Sequence, residues 1–371
     1  MGYFAIYCCL TISSLIFISF APSYLSVLIM PYVLFFRNPL CYTRDKKGVP
    51  SAACTGGFYM NAKPYVVGVG AVNVDVMGRS KRPLVSEDSN PGQIKISIGG
   101  ATHNASENAC RLGLPVNFIT ATGDDYFGTL IRTACESAGL STEHFFAFPG
   151  QISSTYMSIH EPDGEMNIAI SDMNVLQSLS PAHLKQKGEL LENAAAITFD
   201  TGLPQETIDY LLQTYCSKTA VFADPVSTTY AEKLVGRLEG IHTLKPNLLE
   251  AEVLSGVKIR TFGDLQEAAD RIIGCGVRRV FISLGKNGVY YRDHSGTAKH
   301  RQPRPLDQIA NATGAGDAFL GGLLYAYLHD LNIDETLTAA MTVSTLAILS
   351  EQTINPQMSE SLLKETILQN I

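Results

Sequence analysis

The first 36 residues of this 371-residue chain contain no charged side chain. They therefore lack the positive start of a conventional secretory signal, and their apolar residues continue beyond the length of one. Residues 1–59 contain only four basic residues, which also argues against an organelle transit peptide. Three interpretations stay open: a leader absent from the mature protein, a membrane anchor within residues 3–36, and an organelle-targeting segment.

Basic residues are also scarce in the rest of the chain. Residues 1–59 carry a net charge of +3 and the whole chain −7, so the remainder carries −10. An acidic body does not attract a phosphate backbone, which argues against nucleic-acid binding. Cysteine pairs at metal or redox spacing are also missing after residue 59, where the cysteines are Cys110, Cys135, Cys216 and Cys275. We therefore expect reduced thiols and a cytoplasmic body, or membrane anchorage if residues 3–36 are retained.

The composition of the 371-residue chain is that of a globular protein. Hydrophobic residues make up 46% of the sequence and charged residues 17%, which suffices for a large core. Residues 38–59 are polar and rich in turn formers, as expected of a linker. We therefore predict that residues 1–59 lie outside the fold and that residues 60–371 form one α/β domain.

Strand and helix signals alternate along this body. Strands are predicted at residues 65–72, 116–121, 195–199, 220–223, 241–244 and 279–284. Helices are predicted at residues 101–111, 127–138, 181–192, 204–216, 248–255 and 262–275. This alternation predicts a central, mostly parallel sheet that is covered on both faces.

Two stretches break the alternation, at about residues 76–98 and 145–171. Both alternate polar with apolar residues and contain hairpin-like turns, at residues 90–92 and 162–164. We predict that they form a small β-sheet lid over the main sheet.

The most informative run is Asn311-Ala-Thr-Gly-Ala-Gly-Asp317, which precedes an apolar helical pattern. Gly314 and Gly316 let the backbone approach a phosphate, and the free N–H groups of a first helical turn would point at it. Asp317 is then placed to take a proton from an attacking alcohol. The alternative is a capping Asp that follows a glycine turn.

This run resembles the second signature of the ribokinase-like, or PfkB-type, carbohydrate kinases. Gly99-Gly100-Ala-Thr-His-Asn104 resembles the first signature, and the resemblance covers the chain from about residue 65 to its end. It implies an α/β fold, a ribokinase-like three-layer sandwich with a small β-sheet lid. It also implies ATP-dependent phosphorylation of a sugar or nucleoside hydroxyl with Mg²⁺, and a possible homodimer through the lid.

The resemblance assigns roles to residues across the chain. It implies that Asp317 is the catalytic base and that the anion hole is formed by Gly314, Ala315 and Gly316. It implies sugar contacts at Asn73, Asp75, Gly99, Gly100 and Asn104, and nucleotide contacts at Asn247, Ser283, Gly285, Gly288 and Thr313. It also implies that Asn247 and Glu250 hold Mg²⁺ through water. Asn247 and Glu250 also fit a capping box, and the two explanations are compatible. Many members have Asp at the position of Asn311, where it helps to hold a monovalent cation, so potassium activation stays open here.

Longer stretches, at residues 88–92, 164–174, 222–227 and 242–247, resemble the pseudouridine kinase branch of the family. The expected reaction is phosphorylation of the 5′-hydroxyl of pseudouridine, with Asp172 and Asn174 as candidates for contact with the base. One alternative is another kinase of the fold, similar to ribokinase, fructokinase or adenosine kinase. A catalytically silent sugar- or nucleoside-binding regulatory protein is the alternative of another class.

A chain that begins at Met60 is expected to be soluble and as active as the full-length protein, because every motif lies beyond that residue. Both proteins can be purified, the longer one in detergent, and their kcat/KM values compared. An insoluble or inactive shorter chain beside an active full-length protein would show that residues 1–59 are part of the working enzyme.

Overall fold

The computed structural model describes residues 64–306 and 309–369. The leader and linker predicted at residues 1–59, and the domain start at Met60, lie outside the described residues. Among the residues that the structure describes, no helix combines the length and apolar character needed to cross a bilayer.

The described chain alternates strands with helices as expected. The strands are β1 (Val66–Val69), β2 (Asn73–Ser80), β3 (Gly92–Gly99), β4 (Val116–Gly123), β5 (Phe145–Phe148), β6 (Thr155–His160), β7 (Met166–Asp172), β8 (Ala196–Asp200), β9 (Ala220–Asp224), β10 (Thr243–Leu244), β11 (Arg279–Ser283), β12 (Val289–Asp293) and β13 (Ala298–Arg301). The helices are α1 (Ala101–Arg111), α2 (Tyr126–Ser137), α3 (Pro181–Gln186), α4 (Gly188–Glu192), α5 (Gln205–Tyr215), α6 (Thr228–Ala231), α7 (Leu248–Ser255), α8 (Phe262–Gly274), α9 (Ala315–Leu328), α10 (Ile333–Ile348) and α11 (Glu360–Gln369).

Nine of these strands form one sheet in the order β13-β12-β11-β10-β9-β8-β1-β4-β5. Every pairing from β11 to β5 is parallel, whereas β12 and β13 pair antiparallel at the other edge. The central, mostly parallel sheet is therefore confirmed. Its strand β1 is apolar and buried along its length, because a parallel strand in the middle of a sheet meets helices on both faces.

Helices cover both faces of the large sheet and enclose two cores. Val67 in β1 faces one core with Ile208 of α5, whereas its neighbour Val66 faces the other with Leu324 of α9. Successive side chains of a strand point to opposite faces, so adjacent valines contribute to different cores. This arrangement is the predicted three-layer sandwich.

A second sheet of four strands, in the order β3-β2-β6-β7, confirms the predicted small β-sheet. Two of its predicted limits are wrong. Strand β2 begins at Asn73 rather than near residue 76, and β5 pairs with β4 at the edge of the large sheet. The sequence of β5 is Phe-Phe-Ala-Phe, which lacks the alternating polar residues of a strand with one solvated face.

Other limits also differ from the predictions. The first strand ends at Val69, and the strand predicted at residues 241–244 shortens to β10, Thr243–Leu244. The helix predicted at residues 181–192 is interrupted at Lys187. This residue lies between the end of α3 at Gln186 and the start of α4 at Gly188. A glycine inside a helical pattern weakens the helix, which explains the break.

Candidate active site

Polar residues gather where the parallel strands of the large sheet end. Asp200 and Asp224 are the last residues of β8 and β9, and Lys245 follows β10 directly. Helices α1 and α9 begin at this same edge, which is where open α/β sheets bind their ligands. The edge contains a cleft of about 510 Å³, whose lining includes Asp224, Lys245, Glu250, Ser283, Gly316 and Asp317.

The two glycine-rich motifs meet in this cleft. Asp317 lies in the first turn of α9, and its Oδ2 accepts a hydrogen bond of 2.8 Å from Nδ2 of Asn104 in α1. Gly314 caps α9 with a φ of 81°, and a Cβ there would lie 2.6 Å from the carbonyl oxygen of Thr353. Only glycine fits that conformation and that space, so the turn that presents Asp317 depends on it.

The surroundings of Asp317 raise the pKa of its carboxyl group. It is half-buried, and burial raises its pKa to about 6, although the nearby Lys245 ammonium opposes the rise. The negative charge of Asp224 raises this pKa further, and the Asn104 hydrogen bond lowers it. A carboxylate with a pKa just below neutral pH is mostly ionised at pH 7, yet it binds a proton more readily than a solvated one.

Lys245 and Asp224 form a buried ion pair of 2.8 Å beside this carboxylate. Burial alone would lower the pKa of Lys245, but the charges of Asp224 and Asp317 raise it, so the ammonium stays protonated. A Cβ added to Gly316 would lie 3.0 Å from the lysine Nζ. The absence of a side chain at Gly316 therefore leaves room for the ammonium group at the first turn of α9.

The predicted sugar-binding residues lie together at the junction of the two sheets. Asn73 pairs with Gly99 between β2 and β3, and its Nδ2 donates a hydrogen bond of 2.5 Å to Oδ1 of Asp75. Burial raises the pKa of Asp75. Gly100 caps α1 with a φ of 107°. Asn73 and Asp75 lie at the start of β2, directly after the first strand predicted at residues 65–72.

Asp200 fixes the start of α1 against the end of β1. Its Oδ2 accepts hydrogen bonds of 2.8 Å from the Ala71 backbone and 2.5 Å from the Thr102 hydroxyl. The same residue accepts a bond from the Gly202 backbone at 2.8 Å, and burial raises its pKa. These contacts hold the Gly99-Gly100 turn in place.

Asp200, Asp224 and Lys245 received no role in the sequence analysis. Asp224 and Lys245 lie within stretches that it quoted only for their resemblance to one branch of a family. The signal that could have found all three is their position, since each is the last residue of a predicted buried strand or follows it directly. Polar residues at such ends converge on the ligand edge of the sheet.

Asn247 and Glu250 form the predicted capping box at the start of α7. The Glu250 oxygens accept bonds of 2.8 Å from the Asn247 backbone and 2.6 Å from its side-chain amide. Glu250 is buried, and this burial raises the pKa of its carboxyl group. Its carboxylate lines the cleft and suits a hard cation, but both oxygens are already bonded, which favours contact through water.

Of the predicted nucleotide residues, Asn247 and Ser283 line the cleft, whereas Gly285, Gly288 and Thr313 are not among its lining residues. Ser283 ends β11, lines the cleft and donates its N–H to the Pro246 carbonyl at 2.9 Å. Gly285 and Gly288 follow it in the turn to β12, both at positive φ. Thr313 is exposed, and its N–H donates a bond of 2.9 Å to Oδ1 of Asn311 in a local turn.

Asp172 and Asn174 lie away from the lining of this cleft. Asp172 ends β7 and accepts a bond of 3.1 Å from the Asn174 backbone. It pairs with Thr155, which in turn pairs with Val74, so it occupies the same end of the small sheet as Asn73. Their contact with a base stays a prediction.

Comparison with known proteins agrees with this geometry. Residues 63–360 match the pfkB family carbohydrate kinase. The pseudouridine kinase of Escherichia coli (strain K12) is 36% identical over 300 residues, which cover 81% of this chain and 95% of that protein. An uncharacterised sugar kinase of the same strain is 30% identical over 303 residues, covering 82% and 83%.

A solved structure shows the same fold. The ribokinase of Arabidopsis thaliana complexed with ribose and ATP has a TM-score of 0.76 at 20% identity, and the match covers 82% of this chain and 99% of that one. The fold is thus ribokinase-like, as the resemblance implied. The match over residues 63–360, together with the 36% identity, shows that the chain belongs to the pfkB family of carbohydrate kinases.

Proposed function

We propose that the protein transfers the γ-phosphoryl group of ATP to the 5′-hydroxyl of pseudouridine. The observation that carries the kinase part is the half-buried Asp317, with a pKa of about 6, in a glycine-rich helix start. Similarity to a pseudouridine kinase at 36% identity supports the acceptor. The second relative, a sugar kinase at 30% identity, keeps a different sugar or nucleoside as the alternative. An intact base and helix start argue against a silent binding protein.

In this reaction, the acceptor oxygen forms a bond to the γ-phosphorus while the bond from that phosphorus to the bridging oxygen of ADP breaks. The electron pair of the broken bond leaves with ADP, and the hydroxyl proton moves to Asp317. The N–H groups of Gly314, Ala315 and Gly316 would stabilise the charge that develops on the phosphoryl oxygens. Asn73, Asp75, Gly99, Gly100 and Asn104 would hold the ribose.

The nucleotide would occupy the end of the cleft near Ser283, in contact with Gly285, Gly288 and Thr313. Asn247 and Glu250 would hold Mg²⁺ through water. The ion, when bound, neutralises part of the triphosphate charge. Dependence on a monovalent cation stays open, because Asn311 supplies an amide where many members have a carboxylate.

Replacing the base is the direct test of the mechanism. Asp317→Asn is expected to lower kcat by roughly 10² to 10⁴, the usual range for a lost general base. Wild-type kcat/KM should fall below pH 6, as Asp317 binds its proton, and the variant should lose this limb. Asp334→Asn is the matched control, because Asp334 is an exposed carboxylate in the first turn of α10. A folded Asp317→Asn enzyme within about threefold of wild type would exclude Asp317 as the base.

The acceptor is tested by comparing kcat/KM for pseudouridine with uridine, adenosine, ribose and fructose. Pseudouridine has an additional ring N–H, and a buried acceptor left without it costs about 1–3 kcal/mol, or roughly 10- to 100-fold against uridine. Asp172→Asn and Asn174→Ala should reduce this ratio. Asp163→Asn, in the exposed β6–β7 turn, should not. Equal kcat/KM values for pseudouridine and uridine, or a higher value for a free sugar, would refute pseudouridine as the preferred acceptor. The activity would then be that of a carbohydrate kinase with another acceptor.

We also propose that two copies associate through the small sheet. Its register places Ile96, Val76, Met157 and Ile170 in one row across the four strands. Ile96 is 53% exposed, Met157 45% and Ile170 67%, and the next row contains Ile94 and Ile168 at 75% and 58%. These two rows carry no charge, so they suit an identical uncharged face better than a partner selected by charge.

Sedimentation of the full-length protein tests this association. Wild type is expected to be a dimer, and Ile96→Lys combined with Ile170→Lys a monomer, because four lysines would meet across the interface. Leu368→Lys is the matched control, since it changes an equally exposed apolar residue, 72% exposed, in α11. A monomeric wild type, or a dimer that survives the double substitution, would contradict the proposal.

A further inference from the structure

We propose that Lys245 is a further catalytic residue, whose ammonium group contacts the transferred phosphoryl group, and that Asp224 is the residue that positions it. This inference rests on the proposed phosphoryl transfer and adds a residue to it. It does not depend on which hydroxyl compound is the acceptor.

The charge balance of the cleft is the first support. Of the described residues that line it, Asp224, Glu250 and Asp317 are acidic and Lys245 is the only cation. A triphosphate is strongly anionic, so a lining of three carboxylates would repel it without this ammonium. The lysine is therefore the protein's own positive charge at the place where a phosphoryl group must arrive.

The position of the ammonium group is the second support. Lys245 Nζ lies at the first turn of α9. A Cβ added to Gly316 in that turn would lie 3.0 Å from this nitrogen. The free N–H groups of that turn converge on the same space. An anion bound there would therefore meet the ammonium and the helix start together.

Asp224 is held by contacts that a simple surface ion pair would not need. Its Oδ2 contacts Lys245 at 2.8 Å, and its Oδ1 accepts the Val226 N–H at 3.0 Å. Val226 has a φ of 62°, which is an unfavourable conformation for a β-branched side chain, and it is 40% exposed in the cleft lining. Backbone strain of this kind persists where the surrounding structure enforces it, and it concentrates at functional sites.

The ammonium keeps its proton throughout the reaction. The acceptor oxygen bonds to the γ-phosphorus, the bond to ADP breaks with its electron pair on ADP, and the acceptor proton goes to Asp317. Lys245 only stabilises the charge on the phosphoryl oxygens while the phosphoryl group passes from the bridging oxygen of ADP to the acceptor oxygen. Asp224 keeps the ammonium beside α9 and away from a permanent contact with the base.

Nucleotide binding separates this role from a structural one. Lys245→Met is expected to weaken binding of a non-hydrolysable ATP analogue by roughly tenfold or more, because a charge-assisted contact to the γ-phosphate is lost. ADP binding should change by less than about threefold, since ADP lacks that group. Calorimetry on the full-length protein measures both. Lys245→Arg, which keeps the charge, should retain much of the preference for the ATP analogue over ADP.

Lys233→Met is the matched control. Lys233 is a half-buried lysine that also lies near the strand ends, but its Nζ donates to the Thr201 and Leu203 carbonyls and it does not line the cleft. Lys233→Met should leave the ratio of the affinities for the ATP analogue and for ADP unchanged. Equal losses for both nucleotides in Lys245→Met, or no loss, would overturn the inference.

The pH profile gives a second readout that a structural pair would not produce. Asp317 faces Asn104 from α1, Asp200 and Asp224 from the strand ends, and Lys245. Lys245→Met should move the acid limb of kcat/KM to higher pH, because the charge that favours the ionised base is lost. Asp224→Asn should move it to lower pH. Unshifted limbs, or shifts in the same direction, would contradict the proposed arrangement.

These outcomes are distinct from a failure of the proposed function. A wild-type protein that bound neither nucleotide and phosphorylated no hydroxyl compound would refute the kinase reaction, and this inference with it. A wild-type protein that phosphorylates any acceptor, while Lys245→Met keeps the preference for the analogue over ADP, would refute the inference alone.

Discussion

The close packing of α9 against its two neighbouring helices is the constraint on which the candidate site depends. A Cβ on Gly321 would lie 2.8 Å from Cβ of Asn108 in α1, and a Cβ on Gly322 would lie 2.6 Å from the Ala340 backbone in α10. Adjacent glycines thus let α9 approach α1 on one side and α10 on the other. This approach brings Asn104 to within 2.8 Å of Asp317, although 213 residues separate them in the chain.

The same packing determines the electrostatics of Asp317. Enclosure between helices removes water from Asp317 and raises its pKa, and the charges of Asp224 and Asp200 act in the same direction. A carboxylate in such surroundings would bind a proton at neutral pH if nothing opposed these effects. Lys245 and the Asn104 amide oppose them, and the resulting pKa of about 6 suits proton transfer near neutral pH. The pKa of Asp317 therefore reflects burial and two neighbouring carboxylates, which raise it, and one ammonium group and one hydrogen bond, which lower it.

The sequence predicted those parts of the fold and site that depend on short windows. The alternation of strands and helices, the glycine turn before Asp317 and the capping box of Asn247 are all local patterns, and the structure contains each of them. Asp200, Asp224 and Lys245 escaped because their meeting depends on the order of β8, β9 and β10 in the sheet. Strand order is a long-range property that no window contains. Strand β5 was misplaced for the same reason, since its pairing with β4 is what makes it part of the large sheet.

Strand β2 links the proposed sugar-binding residues to the proposed dimer face. Its side chains alternate, so Asp75 lies on one face of the small sheet and its neighbour Val76 lies on the other, in the row of exposed isoleucines. A shift of this strand by one residue would exchange the two faces and move Asp75 away from Gly99. A second copy packed against the apolar rows would therefore hold β2 in the register that the sugar contacts need. Association and substrate binding would then stabilise the same arrangement of one strand, which is a physical reason for a lid to be shared between two copies.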